Sequence, residues 1–271
     1  MRLWWGPERG LARLHRAREI LVSRSGDGTG AAWRCCGRWQ RALNNKLSAR
    51  AFAAAHGCRV PALYWTGRVP RLLPVGALPR DVVIKPAFGR ASQGVHLLSG
   101  GRDLLGGGVY DPSSLRRHLV RSFGELSTIA LIAEEFVRDE SGRVRVPTEY
   151  KLFVFGDHVA AIEVSQRVGL DAHKNPRNAY TASWTPFEPR LRTADYLHAD
   201  FEPPRCLDEM VEVALRLARV YGTFVRVDLY ATERGCVFGE LSSTPSQGTG
   251  FSAGADRVLG ELWRERLGDR E

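Results

Sequence analysis

The residues of this 271-residue chain that could do chemistry are concentrated between Gly222 and Gly250. Arg226 and Asp228 lie two positions apart in a run that alternates apolar and polar side chains, which predicts a strand with one charged face. The segment Glu233–Gly235 fits a three-residue hairpin loop with glycine in the left-handed conformation, and a second strand follows it. This loop length predicts four cross-strand pairs, which are Thr232–Cys236, Tyr230–Phe238, Asp228–Glu240 and Arg226–Ser242.

Asp228 and Glu240 are therefore expected to face each other across the hairpin. Directly opposed side chains on one face are about 5 Å apart, and like charges in that position are destabilising. A hard divalent cation would compensate both carboxylates, and the Ser242 hydroxyl would supply a further oxygen on the same face. The alternative is an exposed hairpin with two solvated acids.

The other elements are predicted from periodicity and from the residues that end helices and strands. Helices are expected at 8–22, 33–43, 47–55, 113–123 and 208–221. Strands are expected at 81–86, 129–133, 148–155 and 159–164. Residues 169–205 are expected to form a long loop, and loops of that length are usually functional or mobile.

A candidate phosphate loop follows the strand that ends in Lys85. Small residues run from Gly89 to Gly94, where backbone N–H groups could approach phosphate oxygens without interference from side chains. The sequence has no Walker pattern here, because no Gly-Lys-Ser/Thr opens a helix. A plain hairpin between two strands remains the alternative.

The net charge of +9 does not indicate nucleic-acid binding, because the basic residues are spread along the chain. A basic surface would instead favour an anionic substrate. Of the 39 basic residues only four are lysines, namely Lys46, Lys85, Lys151 and Lys174. Where arginine is the usual cation, these lysines mark positions that need a compact ammonium group.

Length and composition limit the class of protein. A chain of 271 residues can bury a substantial core in one large domain or two lobes. No apolar run approaches the length of a membrane span, and the first residues lack the apolar core of a signal peptide, so we expect a cytoplasmic protein without stable membrane insertion. Five cysteines without metal-like spacing suit a reducing compartment.

Taken in order, these segments resemble the ATP-grasp superfamily, and most closely its small proteins of the teichuronopeptide-biosynthesis type. The resemblance covers about residues 44–260 and rests on VIKPAFGRASQGV, AEEFV, EYKLFVFGDHVAAIEVSQR and FVRVDLYATERGCVFGELSSTPSQG. It implies an α+β fold in which two α/β lobes with antiparallel sheets grip ATP, preceded by an N-terminal helical segment. The implied division is 1–43 helical segment, 44–80 pre-ATP-grasp region, 81–136 small lobe with the phosphate loop, and 137–271 C-terminal lobe with the metal site.

The resemblance also implies roles for individual residues. Those implied to bind ATP are Lys46, Lys85, Gly89, Ser92, Gln93 and Gly94, with the hinge residues Glu134, Glu135, Phe136 and Val137, of which Glu135 is placed nearer the adenine edge. The catalytic cations are Lys151, Arg167 and Arg226. The ligands of Mg²⁺ are Asp228, Glu240 and Ser242, although many relatives have Asn where this chain has Ser242. Apart from the resemblance, Lys174 and Arg177 lie in the long segment 169–205, whose basic and aromatic residues suit an anionic or sugar-bearing substrate; a disordered surface loop is the alternative.

The implied reaction is ligation of a carboxylate to an amine, through an acyl-phosphate, with release of ADP and phosphate. The expected partners are small-molecule or peptide substrates or a cell-surface glycan precursor, and no nucleic acid; a homodimer is one option for assembly. Two alternatives remain open at this point. One is a phosphotransferase that delivers the γ-phosphate to a hydroxyl group, and the other is a non-catalytic basic binding protein.

Overall fold

Two five-stranded antiparallel sheets form the framework of the fold. The computed structural model describes residues 39–89, 93–169, 171, 174–193 and 197–267. The helix predicted at 8–22, most of the one predicted at 33–43, and Ser92 lie outside the described residues. None of the described helices is long and apolar enough to cross a membrane.

The first sheet has the strand order β1-β5-β2-β3-β4. Its strands are β1 (Leu63–Gly67), β2 (Asp81–Pro86), β3 (His96–Ser99), β4 (Arg102–Asp103) and β5 (Leu131–Glu135). The second sheet has the order β10-β9-β6-β7-β8. Its strands are β6 (Thr148–Phe155), β7 (His158–Gln166), β8 (Arg177–Tyr180), β9 (Val225–Thr232) and β10 (Gly235–Ser242).

Five α-helices accompany these strands in the described residues. They are α1 (Trp39–Ala42), α2 (Lys46–Ala55), α3 (Pro112–Phe123), α4 (Leu207–Tyr221) and α5 (Ala253–Leu267). Local chemistry fixes their ends. Asp111 forms a capping box with Ser114 at the start of α3, and Gly222, at a φ of 78°, ends α4 in the left-handed conformation.

Each sheet has one apolar face covered by a helix. In the first sheet, Val82, Ile84 and Ala133 pack against Leu115 and Leu119 of α3. In the second sheet, the core includes Val225, Val227 and Leu229 of β9, Met210, Ala214 and Leu217 of α4, and Phe52 of α2. The segment 44–80 therefore contributes α2 to the core of the second sheet and β1 to the first sheet.

The opposite face of the second sheet is divided between an apolar part and a polar part. Aromatic side chains at one end pack on α5, through contacts that include Phe155, Phe224 and Trp263. At the other end the same face carries Arg226 and Asp228, which are 9% and 7% exposed. Strand alternation thus places a charged surface directly behind the hydrophobic core.

The hairpin of β9 and β10 differs from the sequence prediction in its first half. Gly235 pairs with Thr232 and Phe238 with Leu229, so the loop has two residues and the predicted pairs Thr232–Cys236 and Tyr230–Phe238 are wrong. A β-bulge between Phe238 and Glu240 then shifts the register by one residue. The predicted pairs Asp228–Glu240 and Arg226–Ser242 are confirmed beyond the bulge.

The predicted strands and helices within the described residues are found close to their expected bounds, and several elements, among them β4, were not predicted. Strand β8 lies inside the region expected to be a long loop. Helix α5 was not recognised, because its two glycines, Gly254 and Gly260, lower the helix propensity of the segment.

Candidate active site

A row of charged side chains crosses four neighbouring strands on the polar face of the second sheet. We call it the charged row; it consists of Glu240 on β10, Asp228 on β9, Lys151 on β6 and Glu163 on β7, each opposite the next. Because adjacent strands lie about 4.8 Å apart, the row brings three carboxylates and one ammonium group within reach of one another, with the carboxylates of Asp228 and Glu240 next to each other.

Arg226 bridges the two carboxylates at one end of this row. Its Nε donates to Asp228 Oδ1 at 2.6 Å and its Nη2 to Asp228 Oδ2 at 2.6 Å. The same Nη2 donates to Glu240 Oε1 at 3.3 Å. The positive charge that the facing carboxylates require is therefore supplied in part by this guanidinium.

The two carboxylates differ in their surroundings. Burial raises the pKa of Asp228 to about 7, against the opposing effect of the Arg226 guanidinium, and Glu240 adds to the rise. The Glu240 side chain is 40% exposed, so it remains open to a ligand from solvent. Asp228 is thus a buried carboxyl group with a raised pKa, and Glu240 beside it is accessible. An added cation would stabilise the ionised form of both groups.

The donor set fits Mg²⁺ that arrives with a nucleotide. Mg²⁺ usually binds one or two protein carboxylates and takes its remaining oxygens from phosphates and water. Asp228 and Glu240 provide the two carboxylates, with Ser242 on the same strand as Glu240. Within the described residues no group of three or more His, Cys, Asp or Glu is arranged to hold a metal, so these residues do not form an all-protein cage.

Lys46 connects the charged row to the candidate phosphate loop. Its Nζ lies 3.9 Å from Glu240 Oε2 and donates to the carbonyl oxygen of Gly89 at 3.3 Å. Its backbone N–H donates to the carbonyl oxygen of Ala87 at 2.7 Å. Burial lowers the pKa of this lysine, while Glu240 opposes the effect. The first residue of α2 thus joins the two sheets at the site.

Lys85 and Glu134 lie on the polar face of the first sheet. Lys85 Nζ is 2.5 Å from Glu134 Oε1, and Arg50 Nη1 of α2 is 3.5 Å from Glu134 Oε2. Glu134 is 5% exposed, and each of its carboxylate oxygens contacts one of these cations. Sequence reasoning missed Arg50, which has no local pattern that relates it to a glutamate 84 positions away.

The remaining hinge residues have different surroundings. Glu135 Oε1 accepts from Arg234 Nη2 at 2.5 Å, and Glu135 Oε2 accepts from the backbone N–H of Ala62 at 3.0 Å. Phe136 and Val137 are buried. Glu135 is the last residue of β5, and its contact with Arg234 therefore holds the turn of the β9–β10 hairpin against the end of that strand.

Glu149 holds two of the predicted catalytic cations. Lys151 Nζ donates to Glu149 Oε2 at 2.7 Å and Arg167 Nη2 to Glu149 Oε1 at 3.2 Å. The pKa of Glu149 falls to about 2, because these cations outweigh the effect of burial, which alone would raise it. Sequence reasoning missed this residue, although its position two before Lys151 on one strand places both on the same face.

The other predicted residues are placed as follows. Gly94 has a φ of 69°, and a Cβ there would come within 2.6 Å of Phe123 Cζ, so the end of the candidate phosphate loop requires glycine. Gln93 is exposed beside it. Lys174 is 77% exposed and pairs with Asp171 at 3.9 Å, outside the charged row. Arg177 does reach the row, with Nη1 3.5 Å from Glu163 Oε1.

Basic side chains predominate in the ion pairs that involve the charged row, Glu134 and Glu149. Among the described residues, these contacts, with that of Arg192 to Glu163, link eight basic side chains to five carboxylates. The basic ones are Lys46, Arg50, Lys85, Lys151, Arg167, Arg177, Arg192 and Arg226, and the acidic ones are Glu134, Glu149, Glu163, Asp228 and Glu240. A partly buried face rich in cations favours anionic ligands.

Residues 73–264 match a family model described as TupA-like ATP-grasp. No curated protein sequence matches the chain significantly.

Several solved structures resemble the chain. D-alanine–D-alanine ligase from Bacillus anthracis complexed with ATP is 13% identical, with a TM-score of 0.51 over 84% of this chain and 67% of that one. The same enzyme from Helicobacter pylori is 13% identical, with a TM-score of 0.50 over 84% and 60%. D-cycloserine synthetase DcsG is 19% identical, with a TM-score of 0.51 over 84% and 71%. The chain thus spans only about 60% of the length of the Helicobacter pylori ligase.

Proposed function

The chain belongs to the TupA-like ATP-grasp family and has the ATP-grasp fold, and from this premise we propose that it is an ATP- and Mg²⁺-dependent carboxylate–amine ligase. The observation that carries the proposal is the link from the facing pair Asp228–Glu240, through Lys46, to the phosphate loop. This link joins a metal-type carboxylate pair, through a lysine, to a glycine-bounded loop, and phosphoryl transfer from ATP uses such a combination of metal ligands, cations and a phosphate-binding loop.

In the proposed reaction, a substrate carboxylate oxygen attacks the γ-phosphorus of ATP and the bond to the β-phosphate oxygen breaks. The products of this step are an acyl-phosphate and ADP. An amine then attacks the acyl carbon, loses a proton and displaces inorganic phosphate, which leaves an amide. Bound Mg²⁺, held by Asp228 and Glu240 with Ser242 nearby, would offset negative charge on the phosphate oxygens.

The side chains of this protein have distinct tasks in that scheme. Lys46 and Lys85 neutralise the phosphates from the side of the first sheet. Lys151, Arg167 and Arg226 stabilise the charge on the group in transfer from the side of the second sheet. The hinge residues Glu134 to Val137 bind the adenosine part, and Glu149 keeps Lys151 and Arg167 in place.

Ligation is tested by ADP release with a panel of acid and amine pairs. We expect release that requires both a carboxylate and an amine, and a loss of about 10²–10³-fold in kcat for Arg226→Gln, because a donor to the transferring group is removed. Arg264→Gln, which removes an exposed arginine from α5, is the matched control and should keep full activity. ADP release that needs only a hydroxyl compound would instead establish a phosphotransferase.

A further inference from the structure

The carboxylate oxygens of Asp228 and Glu240 have cationic partners within the protein itself. Asp228 Oδ1 and Oδ2 accept from Nε and Nη2 of Arg226, each at 2.6 Å. Glu240 Oε1 accepts from the same Nη2 at 3.3 Å, and Glu240 Oε2 lies 3.9 Å from Lys46 Nζ. Every oxygen that this pair could offer to a metal ion is therefore within 3.9 Å of a side-chain cation.

The contacts to Asp228 are tighter than those to Glu240. Arg226 and Asp228 form a bidentate pair, and both residues are buried, so solvent and salt screen their attraction little. The Glu240 side chain is 40% exposed, and its contacts with cations are longer. Glu240 is therefore free to exchange one cation for another, whereas the Asp228 oxygens become accessible only when the Arg226 guanidinium moves.

Arg226 and a metal ion bound by both carboxylates would compete for the same oxygens. Mg²⁺ contacts its oxygen ligands directly, at about 2.0–2.1 Å, which leaves no room for a guanidinium on the same side of the carboxylate. A guanidinium that leaves a buried carboxylate needs another anion, because an unpaired buried charge is costly. Phosphate oxygens provide one, since arginine binds phosphate with the same two-bond geometry as carboxylate.

Building on the proposed function, we infer that Arg226 gates the metal site: it holds Asp228 and Glu240 until a nucleotide phosphate takes over its guanidinium. Metal binding without nucleotide would displace Arg226 and leave two cations side by side. A phosphate group removes this penalty, because it pairs with Arg226 and offsets the charge of the metal. The apparent affinity for metal alone is thus reduced by the fraction of molecules whose carboxylates are free.

The test measures the binding of Mn²⁺ to the full chain without nucleotide, with the free ion counted by electron paramagnetic resonance. Mn²⁺ replaces Mg²⁺ as the probe because carboxylate oxygens suit both ions. We expect Arg226→Gln to bind Mn²⁺ about 5–150-fold more tightly than the original protein, the usual range of coupling between two sites. This gain is opposite in direction to the loss of kcat expected for the same variant. Arg226→Lys, which keeps the charge but lacks the two-bond fork, should show a smaller gain.

Lys151→Gln is the matched control for the loss of a positive charge near the carboxylates. Lys151 lies opposite Asp228 on β6, but its Nζ donates to Glu149 Oε2. Its removal therefore changes the local charge as Arg226→Gln does, without freeing an oxygen of Asp228 or Glu240. We expect a gain in Mn²⁺ affinity well below that of Arg226→Gln.

An unchanged or lower Mn²⁺ affinity in Arg226→Gln, or an equal gain in Lys151→Gln, overturns the inference. If circular dichroism shows that Arg226→Gln does not fold, Arg226→Lys decides in its place, because it tests release of the oxygens at constant charge. The proposed function has a separate measurement, the calorimetric affinity of the original protein for a non-hydrolysable ATP analogue with Mg²⁺. No binding of the analogue would overturn the proposed function and the inference together, whereas binding without an effect of Arg226 on Mn²⁺ would overturn the inference alone.

Discussion

Arg192 and Arg177 both contact Glu163, but the fold depends on them to different degrees. Arg192 makes a buried bidentate pair, whereas Arg177 adds one longer contact. Removal of one partner from a buried ion pair leaves an uncompensated charge, which costs about 3–5 kcal/mol. The same reasoning applies to Glu149, whose removal would leave Lys151 and Arg167 without their shared carboxylate.

We therefore predict that Arg192→Gln lowers the free energy of unfolding by about 3–5 kcal/mol at pH 7, measured in urea. Arg177→Gln, the control on the same carboxylate, should lower it by less, because Arg177 makes a single longer contact with Glu163 whereas Arg192 makes two shorter ones. Equal losses in the two variants would show that the charge on Glu163 is shared evenly between the arginines.

The pH dependence of stability provides a further check on this pair. The arginines lower the pKa of Glu163 from 4.5 to about 2, against the effect of burial. A depressed pKa stabilises the folded protein fully above the unfolded-state value and loses that stabilisation as the pH falls towards the folded-state value. The difference in the free energy of unfolding between the original protein and Arg192→Gln should thus shrink between pH 4.5 and pH 2. A difference that stays constant over this range would contradict the stabilisation of ionised Glu163 by Arg192.

At the scale of elements, the β9–β10 hairpin shows what local patterns can and cannot specify. Alternation identified both strands, and the facing of Asp228 and Glu240 is as predicted. The two-residue loop was not predicted, because Gly235, at a φ of 88°, suits the last position of a three-residue loop equally well. The bulge beside Gly239 corrects the register, and a bulge has no reliable signal in a single sequence.

Gly239→Ala tests whether this bulge positions the carboxylate pair. A Cβ at Gly239 would lie 3.0 Å from the backbone oxygen of Asp228 and 3.0 Å from Tyr230 Cε2. We expect a loss of about 1–3 kcal/mol in stability from the forced shift, together with weaker Mg²⁺-dependent nucleotide binding. Gly76→Ala is the control, because a Cβ there has no neighbour within 4 Å. An unchanged nucleotide affinity in Gly239→Ala would show that the bulge does not position the carboxylate pair.

At the scale of the whole molecule, α2 connects the two sheets at the site. Phe52 packs in the core of the second sheet, while Arg50 and Lys46 reach Glu134 and Gly89 beside the first. The sequence predicted this helix and the separate strands. The ion pairs Arg50–Glu134 and Arg192–Glu163 join residues 84 and 29 positions apart, and such pairings depend on tertiary packing that periodicity does not encode.

Nucleotide-dependent thermal stabilisation shows whether Asp228 and Glu240 hold the Mg²⁺ that accompanies ATP. The melting temperature is compared with and without ATP and Mg²⁺ for the original chain, the double variant Asp228→Asn/Glu240→Gln, and Glu212→Gln as a surface control. At 100 times the dissociation constant, binding contributes about 2.7 kcal/mol, or a rise of about 5–10 °C. We predict this rise in the original chain and the control, with Mg²⁺ required, and its loss in the double variant. A rise that the double variant retains, or none in the original chain, would contradict the claim.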